Sequence, residues 1–146
     1  MESLVPSLIT LVIGGFLGGL VKSLLDYRNQ VFSQLWDKRL KAYTELWKIM
    51  GQFPLWPALD DVTYIKLFEM SKSMRDWYFG SGGILMSHET RTLYGDLQED
   101  INARILKDKK NDENLVRKDE YDTVQKLCSL LRNGMTNDLL SRKKLL

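Results

Sequence analysis

The first part of the chain is almost continuously apolar. Residues 4–21 (LVPSLITLVIGGFLGGLV) form an eighteen-residue run without a formal charge. As an α-helix this run would extend about 27 Å, which is near the lower limit for crossing the hydrocarbon core of a bilayer. Residues 1–25 are therefore predicted to form one transmembrane helix.

Two other interpretations of this segment are disfavoured by its flanks and its composition. A cleaved signal peptide begins with basic residues, whereas Met1, Glu2 and Ser3 precede the apolar run here. A helix buried in a soluble domain is a poor alternative, because each of its four glycines costs up to about 1 kcal/mol relative to alanine.

Small and hydroxylated residues follow one side of the predicted membrane helix. The pairs Gly14/Gly18 and Gly15/Gly19 have the spacing that lets helix backbones approach closely in lipid. We therefore expect copies of the helix to pack through this side, either as a closed seam or as a ring around a lumen. The candidate packing or pore-lining residues are Ser7, Thr10, Gly14, Gly15, Gly18, Gly19 and Lys22.

Helical periodicity continues through the rest of the chain and predicts an all-α fold, in which the membrane helix continues into a cytosolic bundle of about four helices at residues 26–146. Residues 24–50 contain no proline or glycine, so the membrane helix can continue there. Its core-facing side is predicted from Trp36, Leu40, Tyr43, Trp47 and Met50, and is widened by Leu35, Ala42, Leu46 and Ile49. The later helices are expected at 62–78 with Asp60 or Asp61 as N-cap, at 88–106 with Ser87 as N-cap, and at 119–132 with Gly134 as the stop.

The stretch from Trp77 to Ser87 is the most unusual part of the predicted bundle. Three aromatic residues precede a glycine-rich turn and three aliphatic residues follow it. We expect a tight reversal in which the glycines adopt positive φ and the flanking apolar groups fill the core. The alternative is a ligand or partner loop, although the strand and the Lys-Ser/Thr ending of a phosphate-binding loop are absent. Its candidate residues are Trp77, Gly80, Ser81, Gly82, Gly83 and His88.

The charge distribution indicates membrane orientation rather than nucleic-acid binding. The formal net charge is only +2, so no direct nucleic-acid binding is expected. Basic residues follow the apolar run and none precedes it, which predicts a single-pass inner-membrane protein with its N-terminus outside and its C-terminus in the cytoplasm. The candidates for contact with the membrane surface are Arg28, Lys38, Arg39, Lys41, Arg142, Lys143 and Lys144.

The residue types that support catalysis or metal binding are scarce. The chain has one histidine, His88, and one cysteine, Cys128, so neither a metal site nor a cofactor is expected. Ser87, His88 and Glu89 are consecutive at a helix start and point in different directions, so they cannot form a catalytic relay. We therefore predict a non-enzymatic protein in which Cys128 is an inert buried thiol in a reducing compartment.

A glycine-rich N-terminal span that runs directly into a small helical bundle resembles the accessory membrane proteins that accompany RNA-guided, RNA-targeting CRISPR nucleases. The stretch from Trp77 to Ser87 also looks like small single-span bacterial proteins. The first resemblance implies a homo-oligomer in antiviral defence whose membrane helices line a pore and whose bundle receives a signal.

Three functional hypotheses follow. The leading one is a self-assembling membrane protein that forms or regulates a pore. The second is a monomeric membrane tether or adaptor that recruits a cytosolic protein through Trp56, the glycine-rich turn or the basic tail. The third is a nucleotide-sensing or enzymatic bundle centred on Ser81 to His88.

Overall fold

The computed structural model describes residues 4–54, 58–59 and 61–140, and for residues 4–18 and 20 it describes only the helical backbone. Within these ranges the chain forms four α-helices: α1 (Leu4–Ile49), α2 (Tyr64–Trp77), α3 (His88–Glu99) and α4 (Lys118–Leu140). Short 3-10 turns occupy Met50–Gln52 and Gly83–Leu85, and π-helical turns occupy Tyr78–Gly82 and Asp100–Ile105. The predicted all-α fold of about four helices is confirmed.

The chain divides into two units between Asp37 and Lys38, and α1 contributes residues to both. The predicted boundary at residue 25 separates the membrane helix from the cytosolic bundle, whereas the observed division separates two compact units. The membrane boundary therefore stays a prediction. Across the part of the chain whose side chains are described, no helix has a stretch that is long and apolar enough to cross a membrane. The run at residues 4–21 lies almost wholly outside that part.

The second unit has a core to which all four helices contribute. The face that α1 buries in the second unit is narrower than the predicted one, because Ala42, Tyr43, Leu46 and Met50 are buried as predicted while Leu40 lies at the surface and Trp47 is 49% exposed. The Arg132 guanidinium instead covers the Trp47 ring at 5.5 Å from its centroid. The prediction that Leu40 and Trp47 are core residues was therefore wrong. Fully buried core residues are Leu46, Met50, Phe53, Leu67, Met70, Met74, Leu97, Ile101, Leu106, Val124, Cys128 and Leu131.

The start of α2 differs from the prediction, whereas the start of α3 confirms it. Thr63, rather than the predicted Asp61, caps α2, since its hydroxyl accepts a hydrogen bond from the Lys66 amide at 3.4 Å. The other predicted cap, Asp60, lies outside the described residues. Thr63 also forms an antiparallel bridge with Leu115, which fixes the approach to the helix. At α3 the Ser87 hydroxyl accepts from the Thr90 amide at 3.2 Å, as an N-cap does.

Gly134 was predicted to stop the last helix, but α4 continues past it to Leu140. Gly134 is buried where α4 lies against α3, and a Cβ there would be 2.9 Å from Leu93 Cδ1 and 3.1 Å from Thr90 Oγ1. This glycine allows close helix packing instead of ending a helix. The final turns of α4 therefore bring Asp138 into the bundle, where it is buried.

Candidate functional site

The glycine-rich stretch is helical throughout rather than a reversal. Gly82 has φ −78° and Gly83 has φ −60°, so the prediction of positive φ was wrong. A Cβ on Gly82 would lie under 3.0 Å from Cζ2 of the Trp77 ring, and one on Gly83 would lie 2.8 Å from the Tyr78 carbonyl oxygen. Both positions require glycine because neighbouring atoms occupy the space of a side chain.

The apolar residues around these glycines divide between the core and the surface. Trp77 is buried and its indole N–H donates to the Ala42 carbonyl at 2.9 Å, while Tyr78 stacks on Tyr94 with ring centroids 4.7 Å apart. Phe79 and Ile84, in contrast, are 80% and 86% exposed. The expectation that all the flanking apolar groups fill the core was wrong for these two residues.

Side chains from α1 and α3 hold the backbone on both sides of Ile84. Arg91 donates to the Gly83 carbonyl at 3.1 Å, and Arg39 Nε donates to the Leu85 carbonyl at 2.8 Å. The Tyr43 hydroxyl oxygen lies 3.3 Å from the same Leu85 carbonyl oxygen. We call Phe79 to Ile84 the 79–84 surface. It presents two apolar side chains from a backbone that is already ordered, which lowers the entropic cost of binding.

The other residues predicted for a ligand loop do not share one environment. Gly80, Ser81 and His88 are exposed, and Gly82 is buried. The amide of Gly83 donates to the Tyr78 carbonyl and is used within the π-helical turn. The structure thus places Gly80 and Ser81 on the 79–84 surface and His88 at the first position of α3.

Asp138 forms a buried polar centre that was not predicted from the sequence. The Tyr43 hydroxyl donates to Asp138 Oδ2 at 2.5 Å and the Ser87 amide donates to the same oxygen at 3.1 Å. Burial opposes ionisation, but the hydrogen bonds from Ser87, Tyr43 and Thr90 outweigh it and lower the pKa of Asp138. Its spacing of three from Met135 places it on the buried stripe of α4, which is the signal that could have revealed it.

A second polar cluster joins the loop before α4 to α2. The Glu120 carboxylate accepts from the Tyr64 hydroxyl at 2.5 Å and pairs with Lys109 at 3.0 Å and Arg117 at 3.1 Å. Burial raises the pKa of Glu120, but hydrogen bonds from Tyr64 and Lys109 and the nearby cations outweigh that effect, so the pKa is lowered. Because hydrogen-bond donors and cations surround this carboxylate, we interpret the cluster as a structural ion-pair network.

The potential metal-binding and nucleophilic residues are separated from one another. Among the residues that the structure describes, no three His, Cys, Asp or Glu side chains group closely enough to hold a metal ion. Cys128 is buried as predicted, and burial raises the pKa of its thiol to about 12. Such a thiol is protonated at neutral pH and is a poor nucleophile.

In the first unit, the described residues 19–37 expose an apolar side of α1. The exposed large apolar side chains there are Val21, Leu24, Leu25, Tyr27, Val31, Phe32 and Leu35, each between 39% and 69% exposed. Gly19 has no heavy atom within 4 Å of where a Cβ would be, and Lys22 is exposed. The structure describes only the backbone at the other predicted packing positions, which are Ser7, Thr10, Gly14, Gly15 and Gly18.

The basic residues predicted to contact a membrane surface have different roles in the structure. Arg39 donates to the carbonyls of Leu85 and Asp138, so its guanidinium is engaged within the second unit. The Arg28 guanidinium lies 5.6 Å from the ring centroid of Phe32. Lys38 and Lys41 are exposed. Arg142, Lys143, Lys144 and Trp56 lie outside the described residues.

Comparison of the chain with protein-family models, with curated proteins and with solved structures found no match. Among the described residues, exposed large apolar side chains include those on α1 of the first unit and those of the 79–84 surface.

Proposed function

We propose that this protein is a non-enzymatic, membrane-anchored helical protein that associates with copies of itself and forms or regulates a membrane opening. The membrane anchor is the uncharged run at residues 4–21, with the N-terminus outside and the C-terminus in the cytoplasm. The observation that carries the proposal is the apolar face of α1 between Val21 and Leu35, which begins at the last residue of this run.

An exposed apolar face of this length favours a partner over isolation in water. The described part of the first unit is α1 alone, so the unit has no second element against which to bury these side chains. Contiguous apolar surface on a helix is normally buried against another helix or in lipid. Helix α1 is unbroken from Leu4 to Ile49, so it joins the proposed anchor covalently to the bundle without an intervening loop.

The first test concerns the glycine pairs in the proposed membrane helix. Gly14→Leu is expected to reduce the purified protein from a defined oligomer to a monomer, because the bulky side chain separates the helix backbones. Light scattering in detergent measures the mass, and circular dichroism checks that the bundle stays folded. Ile13→Phe adds bulk on the opposite side of the helix and should leave the mass unchanged. An unaltered oligomer mass in Gly14→Leu would contradict the proposal.

The second candidate function is a membrane tether or adaptor, and the 79–84 surface favours it. Exposed aromatic and aliphatic side chains on an ordered backbone are the usual anchors of protein interfaces. On this hypothesis the protein is a monomer that holds a cytosolic protein at the membrane through Phe79 and Ile84. A stable monomer that co-purifies with a second protein would favour the adaptor over the self-assembling protein.

The adaptor hypothesis predicts a specific effect of removing these anchors. The double substitution Phe79→Ser and Ile84→Ser should abolish co-purification of the second protein, while the melting temperature stays close to that of the unmodified chain because both side chains are exposed. Leu130→Ser, on the exposed side of α4, is the matched control and should retain the partner. Retention of the partner by the double variant would count against an interface at this surface.

A further inference from the structure

The exposed apolar side chains of the first unit repeat at intervals of seven residues. Leu24 and Val31 share one position of this repeat, and Leu25 and Phe32 share the next. Val21, Arg28 and Leu35 share a third position. We call these seven residues the heptad face. At 3.6 residues per turn they fall within an arc of about 120° on the helix surface.

The opposite side of this segment is polar. It carries Lys22, Ser23, Asp26, Gln30, Ser33 and Asp37. A heptad pattern with apolar residues at two of every seven positions, and more at their flanks, is typical of helices that associate with other helices. The segment is thus amphipathic with the period of a helix–helix seam.

The repeat extends upstream in the sequence. Gly14, Leu17 and Gly18 stand seven residues before Val21, Leu24 and Leu25, whereas Gly15, Gly19 and Lys22 of the predicted packing side lie off this repeat. The structure describes only the backbone of Gly14, Leu17 and Gly18, so this extension depends on the sequence alone. Together the two parts cover three consecutive heptads, of which the first lies within the proposed membrane anchor and the other two form the heptad face.

The charges around the heptad face favour a second copy of the chain over a lipid surface. A helix that lies on a membrane surface carries an excess of Lys and Arg on its polar side. Here that side carries Lys22 and Asp26 within residues 21–35 and Asp37 just beyond them, so it has no excess of Lys and Arg.

The flanks of the heptad face, in contrast, suit contact between identical helices. The flanking residues Tyr27 and Gln34 carry no charge at neutral pH, so like charges do not meet at the edges of such a contact. The single charge within the face is that of Arg28, whose guanidinium lies 5.6 Å from the ring centroid of Phe32. One polar residue in an apolar seam fixes register and the number of strands at some cost in stability.

We propose that residues 21–35 form a parallel helix–helix contact between copies of this chain, outside the lipid. The contact is parallel because copies that insert with the same orientation place α1 in the same direction. This inference rests on the self-association in the proposed function and identifies its surface. The same residues of neighbouring copies then lie opposite one another, which disulfide cross-linking can detect.

The test uses single cysteine substitutions in the full chain, purified in detergent or kept in membranes. Leu24→Cys and Val31→Cys place a thiol on the heptad face, and Ser23→Cys and Gln30→Cys place one on the polar side at the same seven-residue spacing. The native Cys128 is buried and provides a common background. Under mild oxidation we expect the first pair to shift from monomer to disulfide-linked dimer on a non-reducing gel, and the second pair to remain monomeric.

Each other outcome overturns part of the account. Absence of dimers at 24 and 31, or equal cross-linking at all four positions, overturns the parallel contact even if light scattering shows an oligomer. A cross-linked product that contains a different protein also overturns it. If the periodic cross-links form but an alkaline wash releases the protein from membranes, the contact stands and the membrane anchor in the proposed function fails.

Discussion

Gly82→Ala is expected to destabilise the second unit by about 3 kcal/mol, since insertion of atoms into a packed core has a cost of this order. The new Cβ would lie under 3.0 Å from Cζ2 of Trp77. Trp77 cannot move away easily, because it is buried and its indole N–H is bonded to the Ala42 carbonyl at 2.9 Å. Urea denaturation followed by circular dichroism measures the loss.

Gly80→Ala is the matched control, because Gly80 lies in the same π-helical turn and a methyl group added there would have no heavy atom within 4 Å. It should leave the unfolding free energy unchanged or slightly higher, since alanine restricts the unfolded chain more than glycine does. Equal denaturation midpoints for the two variants would show that the space beside Trp77 does not explain Gly82.

Asp138→Ala is expected to cost about 3 kcal/mol, because buried donors that lose their acceptor each cost about 1–3 kcal/mol. The Ser87 amide and the Tyr43 hydroxyl both donate to Asp138 Oδ2. Ser87 also caps α3, so the substitution should loosen the start of that helix. Thermal and urea denaturation measure the effect. Asp122→Ala removes an exposed acid from the same helix and should have little effect.

The ionisation of Asp138 gives this prediction a dependence on pH. Its pKa is lowered in the folded chain from the ordinary value of 3.8. The carboxylate therefore contributes its full stabilisation above about pH 4, and that contribution is lost as the pH falls through the lowered pKa. Asp138→Asn should show a smaller loss of unfolding free energy between pH 7 and pH 3 than the unmodified chain. The same loss in both would contradict a role for the ionised carboxylate.

The two residues act on the same part of the bundle. Asp138 holds the start of α3 through Ser87, and Tyr43 contacts both Asp138 and the Leu85 carbonyl. Gly82 lets the π-helical turn pack against Trp77. We therefore expect either substitution to disorder the 79–84 surface, and the double substitution Phe79→Ser and Ile84→Ser tests that surface without disturbing its support.

The positions of the helices along the chain could be predicted from the amino-acid order alone. Apolar residues with a period of 3.6 identified α2, α3 and α4, because burial on one side of a helix requires that spacing. The Ser87 cap was also predictable, since a hydroxyl before a helix accepts a local backbone hydrogen bond. The continuity of α1 followed from the absence of proline and glycine between residues 24 and 50.

The roles that depend on contacts between distant residues became visible only in the folded chain. The roles of Gly82 and Gly134 were predicted from local backbone preferences. In the folded chain, atoms of Trp77 and of α3 occupy the space that a side chain at these two positions would need. The Arg132 guanidinium of α4 covers the Trp47 ring of α1. The Asp138 carboxylate accepts hydrogen bonds from the Tyr43 hydroxyl and the Ser87 amide. Each of these partners is set by how the helices pack, and the periodicity of one helix carries no information about which residue of another helix it meets.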